Sequence, residues 1–112
     1  MALPITGRLR VDEARIVGYL LNHSSSQGKA AFFLRLGFRA EAWSELADAL
    51  KQLARSNSVV AAVDSPYGTH YSVDGELKSP SGKRPRVRSA WISEGDVEEV
   101  RLITAYPVKE AP

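Results

Sequence analysis

The residues with chemistry to offer are few, and most lie in the second half of the chain. Between Lys78 and Arg88 stand five bases, Lys78, Lys83, Arg84, Arg86 and Arg88, with no acid among them. Guanidinium groups suit phosphate, because a planar fork of donors matches its oxygens. A basic face for a polyanion is one reading of this run. The other is solvated strand residues that guard an edge. His70 brings an imidazole, the side chain suited to proton transfer near neutral pH, or is an exposed strand residue without chemical consequence. Thr104 and Tyr106 carry hydroxyls that can meet a phosphate, or they belong to the rim of the core. Lys83, beside Gly82, either grips a nucleic-acid backbone or solvates a turn. Lys29 begins a helix, where the macrodipole disfavours a cation; it pairs with an acid or points toward a ligand. Four acids follow the basic run, Glu94, Asp96, Glu98 and Glu99, and keep the formal net charge at +2. The two segments either attract each other loosely or leave one basic face exposed.

Several chemistries find no support. There is no G-x-x-x-x-G-K-[ST] and no G-x-G-x-x-G to cradle a nucleotide, and no G-x-S-x-G elbow. His23 and His70 have no metal-ligand spacing and cysteine is absent, so neither a metal site nor a cofactor is expected. Apolar runs such as Ala30 to Leu34 are too short to span a membrane. No basic segment leads into an apolar one at the start, so the expected compartment is the cytoplasm. At 112 residues, 44% apolar and 25% charged, the balance is that of one folded domain over 1–112.

The elements that must position these residues fall into a helical half, about 11–54, and a sheet half, about 58–107. Asp12 is placed to cap a first helix to about Leu21, with Val11 and Ile16 as a hydrophobic staple and Val17, Leu20 and Leu21 as its buried stripe. His23 to Gly28 reads as a turn-rich connection. Lys29 to Leu36 reads as a short helix closed by Gly37. Trp43, Leu46, Ala47, Leu50, Leu53 and Ala54 recur at helical spacing and predict a third helix over about Ala42 to Ala54. After Asn57 the pattern turns strand-like. Ser65-Pro66-Tyr67-Gly68 and Ser79-Pro80-Ser81-Gly82 each carry the residue preferences of a type I turn. The expected fold is α+β, with three N-terminal helices on one face of a four-stranded antiparallel meander. Trp43, Trp91, Phe32 and Phe33 are read as core, and Lys109 to Pro112 as a frayed tail. Alternation puts His70, Ser72 and Asp74 on one face of the sheet, with Arg84, Arg86 and Arg88 opposite Val87 and Trp91. The final strand, Val100 to Tyr106, has no unambiguous face.

Two stretches are familiar as patterns. Tyr19-Leu20-Leu21-Asn22, Gly28-Lys29-Ala30, Phe32-Phe33, Leu36-Gly37-Phe38, Trp43 and Leu46 make the first. Pro66 to Tyr71, Val73-Asp74-Gly75, Pro80-x-Gly82, Val87-Arg88, Trp91 and Leu102-x-Thr104-Ala105-Tyr106-Pro107 make the second. Over Val11 to Pro107 the chain resembles a bacterial domain family of unknown function found in toxin–antitoxin and polymorphic-toxin settings. More distantly it looks like the barnase–EndoU–colicin–RelE ribonuclease superfamily, whose members act on RNA without metal from an open sheet face. That resemblance implies a ribonuclease toxin with RNA as substrate and a cognate antitoxin protein as partner. The implied catalytic set is His70, Arg86, Arg88, Thr104 and Tyr106, and Lys83, Arg84, Arg86 and Arg88 would bind nucleic acid. A non-enzymatic partner-binding module, antitoxin or immunity-like, and a nucleic-acid-binding domain without catalysis are the alternatives.

Overall fold

The computed structural model of the protein describes residues 7–94 and 99–108. Asp96, Glu98 and the tail expected to fray lie outside them. The first element is one that the sequence pattern omits: Arg8–Arg10 forms a three-residue strand, β1. A single α-helical turn, α1 (Glu13–Arg15), runs into a π-helical segment, Ile16–Leu20. Helix α2 spans His23–Arg35, and a 3-10 turn, Ala40–Ala42, leads into α3, Trp43–Ser56. Four longer strands follow: β2 (Val59–Ser65), β3 (Gly68–Glu76), β4 (Arg86–Ser93) and β5 (Glu99–Pro107). The sheet order is β1-β5-β4-β3-β2, with β1 parallel to β5 and every other pair antiparallel.

This corrects the expected architecture. The sheet is five-stranded and mixed, not a four-stranded antiparallel meander, and a strand precedes the helices. Arg-Leu-Arg is too short to show an alternation. Leu9, buried beside Val100, is the one residue that marks its inner face. At the end of the antiparallel series β5 presents unpaired backbone groups, and β1 pairs those of Glu99–Arg101.

The first two helical segments depart from ideal geometry. Asp12 stands at the N-cap, but its carboxylate accepts from Arg10 Nε at 2.6 Å instead of capping. The Leu21 N–H donates to the Ile16 carbonyl at 2.8 Å, the five-residue step of a π-turn. Val11 and Ile16 are buried as a staple requires, and Leu20 and Leu21 complete the stripe, while Val17 is only half-buried. Asn22 caps a separate turn by accepting from the Ser24 and Ser25 N–H groups, and the helix breaks at Ser26 and Gln27. Gly37, at φ +96°, ends α2. The Phe38 N–H returns to Phe33 O and the Gly37 N–H to Leu34 O, and the Phe33 and Phe38 rings meet edge to face at 6.4 Å. That is a Schellman closure with its apolar contact. On α3, Leu46, Ala47, Leu50, Leu53 and Ala54 are buried, whereas Trp43 is half-buried and packs on the rim.

One face of the sheet meets this layer through Val73, Val87, Trp91, Leu102 and Ala105. Trp91 is wholly buried, and its indole N–H donates to Ser89 Oγ at 2.8 Å. Ser89 Oγ donates in turn to the Val73 carbonyl at 3.0 Å, so no buried side-chain polar atom among the described residues lacks a partner. At the β2–β3 turn, Gly68 has φ +135°, and a Cβ there would meet the Ser93 carbonyl oxygen. The second tetrad closes as expected, with the Gly82 N–H donating to Ser79 O at 3.1 Å.

Candidate functional site

The opposite face of the sheet is assembled in register rows. Asp74, Arg88 and Tyr106 form one row and Ser72, Ala90 and Thr104 the next. His70 and Ile92 lie beyond, and Glu76 and Arg86 lie on the other side. Strand β5 reaches this arrangement through a bulge: Ala90 pairs with Thr104 but Trp91 with Leu102, leaving Ile103 as the extra residue. The bulge lets Leu102 and Ala105 share the buried face despite their odd spacing, and sends Thr104 and Tyr106 to the open one.

Here the helical layer contributes as well. Tyr19, on the π-helical segment, places its hydroxyl 3.3 Å from Thr104 Oγ1. Lys29 Nζ donates to the same Tyr19 hydroxyl at 2.7 Å and stands 5.2 Å and 5.9 Å from the centroids of the Tyr19 and Tyr106 rings. The Arg15 guanidinium lies 5.3 Å from the Tyr19 ring. Both cations thus stand against aromatic faces, and Lys29 adds a hydrogen bond. The Lys29 ammonium first, and then the Thr104 hydroxyl, hold the Tyr19 phenol below the ordinary tyrosine range, while burial opposes them. Lys29 therefore meets a phenol and not an acid. Tyr19, Lys29, Thr104 and Tyr106 are all half-buried.

Arg88 adds a third cation, already oriented. Its Nε and Nη2 donate to the two oxygens of Asp74 at 2.7 Å and 2.9 Å, a bidentate fork. Asp74 first and Tyr106 second raise the guanidinium pKa further. The hydrogen bonds from Arg88 hold the Asp74 carboxyl below the usual carboxylate range, against its burial. A carboxylate with a lowered folded pKa stabilises the fold above its unfolded value, near pH 4, and loses that contribution as pH falls through the folded value. Asp74→Asn should therefore lower stability by about 1–3 kcal/mol at pH 7. In urea melts the gap between parent and variant should narrow below about pH 4; a gap that stays constant down to pH 2 would refute the assignment.

The sequence-nominated residues divide. Arg88, Thr104 and Tyr106 come together. His70 lies on the same face but opposite Ile92, four residues along β4 from Arg88, or about 13 Å at the rise of a strand. Arg86 and Arg84 instead line a groove with Lys78, Gln52 and Asn57 at the end of α3, and Lys83 is exposed on the turn. Among the described residues, the two acids of the segment meet other bases. Glu94 pairs with Arg101 and Glu99 with Arg10, which ties β1 to β5. Tyr19 and Arg15 were not nominated. Their signal lies in the π-turn, which turns Tyr19 out of the buried stripe formed by Ile16 and Leu20.

A family model described as a domain of unknown function (DUF6883) matches residues 2–109. No curated protein matches the chain. Among solved structures the chain is similar to one from a contact-dependent growth inhibition toxin–immunity protein complex of Klebsiella pneumoniae 342. The identity is 23%, the TM-score 0.68, and the match covers 88% of this chain and 98% of that one. The likeness is one of fold. No helix among the described residues is long and apolar enough to cross a membrane.

Proposed function

The chain belongs to the DUF6883 family, and from that premise we propose that it is an RNA-cleaving toxin module that works without a metal ion. Its site is the cluster of Tyr19, Lys29, Arg88, Thr104 and Tyr106. The single observation that carries this reading is the Lys29–Tyr19–Thr104 chain of hydrogen bonds beside Arg88 on the open face. Cleavage by the 2′-hydroxyl needs a base to take its proton, an acid to protonate the departing 5′-oxygen, and cations for the charge that builds on phosphorus. Tyr19, whose phenol loses its proton more readily beside Lys29, takes the first role and the Tyr106 hydroxyl the second. Lys29 and Arg88 supply the positive charge, and Thr104 orients Tyr19. The new bond joins O2′ to phosphorus and the broken one frees O5′, giving a 2′,3′-cyclic phosphate and a 5′-hydroxyl. Fold likeness to a chain of a toxin–immunity complex fits a toxin role and an immunity-like role alike. Arg84, Arg86 and Lys83 would extend the contact along the RNA backbone, and a cognate antitoxin would cover the same face.

One observation favours the alternative. Arg88 is already neutralised by Asp74, as suits a structural pair on a module that binds a partner without cleaving anything. Expression in cells and incubation of the purified protein with total RNA in EDTA separate the two. The proposal expects growth arrest and fragments with cyclic phosphate ends. Intact RNA at micromolar protein, with normal growth, overturns it and leaves the binding module standing.

A further inference from the structure

The two edges of the sheet are treated differently. β1 is short and reads Arg-Leu-Arg, with both arginines exposed, the charged pattern that keeps an edge from pairing with a stranger. β2, at the other end of the sheet, reads Val-Val-Ala-Ala-Val-Asp-Ser and carries neither a base nor a proline. Ala61 and Val63 pair with residues of the open face, Ser72 and His70, while Ala62 pairs with Tyr71 of the buried face. Yet Val60, Ala61, Ala62 and Val63 are all exposed, Val60 to 53% and Val63 to 61%. A continuous apolar run is the pattern of a strand covered on both sides and paired at both edges. β2 has the sequence of a central strand and the position of an edge strand.

We propose that β2 pairs antiparallel with β2 of a second copy, joining two sheets into one. The strand is complementary to itself. With Ala62 facing Ala62 across the two-fold axis, Ala61 faces Val63, and Val60 faces Asp64. The one charge of the segment therefore never meets its copy, and Thr69 Oγ1 already binds it at 2.8 Å. Small alanines at the axis let the backbones close to ladder distance. The axis stands perpendicular to the sheet, so both open faces end on the same side. A seven-residue seam is about 23 Å long and buries less than the roughly 1,200 Å² of a stable complex. The dimer is therefore weak and forms only at high protein concentration.

Sedimentation equilibrium from micromolar to millimolar protein tests this. The expected result is an average mass that climbs from monomer toward dimer. Ala62→Lys sets two ammonium groups face to face and should weaken association tenfold or more without moving the melting temperature. Ala62→Cys adds the chain's sole thiol, and Cα atoms about 4.5–5.5 Å apart across the pair fall within disulfide reach. Oxidation should then yield a covalent dimer at high yield. A monomer at every concentration, or self-association that Ala62→Lys leaves intact, overturns the proposal.

Discussion

Lys29→Met is expected to lower RNA cleavage by about a hundredfold or more, because it removes two contributions at once. One is a positive charge beside the reacting phosphate. The other is the hydrogen bond that holds the Tyr19 phenol below its ordinary range. The same variant should shift the absorbance titration of that tyrosine upward, toward about pH 10. Tyr19→Phe and Tyr106→Phe should each slow cleavage comparably. His70→Ala, altered about 13 Å along the strand from Arg88, should keep its rate within a few-fold and serves as the control. Initial rates in EDTA, with melting curves for every variant, decide the matter. A Lys29→Met protein that is folded and cuts at the parental rate removes this cluster from consideration.

Trp91→Ala should cost about 3–5 kcal/mol, a large share of the roughly 5–15 kcal/mol that holds such a domain together. The indole is wholly buried in the core cluster that also holds Leu50, Val73, Val87 and Leu102, and its N–H ends the hydrogen-bond chain through Ser89 to Val73. Truncation leaves a cavity and takes a donor from a buried hydroxyl. The melting temperature should fall by roughly 15 °C or more. Trp91→Phe, which keeps most of the volume and loses the donor, should cost about 1–3 kcal/mol. If Trp91→Ala melts within a few degrees of the parent, the centre of the core has been misplaced.

How much of this was legible in the residues depends on range. The α3 stripe, the Gly37 terminus and both S-P-x-G turns obey local rules, and all are where those rules put them. β1 was not legible, because three residues display no period and its partner lies at the far end of the chain. The face of β5 was not legible either. Leu102 and Ala105 sit at odd spacing, and only the pairing with β4 shows that Ile103 is the extra residue. Thr104 and Tyr106 were nominated as hydroxyls without a known side. Tyr19 was missed because an α-helical wheel has no place for the π-turn at Ile16–Leu20. Lys29 stands out in the sequence as a cation at a helix start; that its partner is a phenol could not be read from one dimension. Trp43 shows the opposite error, since position on a stripe gives the direction of a side chain but not the depth of its burial.

The parallel pairing of the first strand with the last has a consequence for the timing of synthesis. As the chain leaves the ribosome, the helices and β2 to β4 emerge while β1 still has no strand to lie against. Tyr19 and Thr104 are separated by 85 positions, so the hydrogen-bond chain that carries the proposed activity cannot close before β5 is made. Long-range closures of this kind form late. The nascent chain therefore exposes the outer edge of β4, and the proposed site stays incomplete until β5 docks.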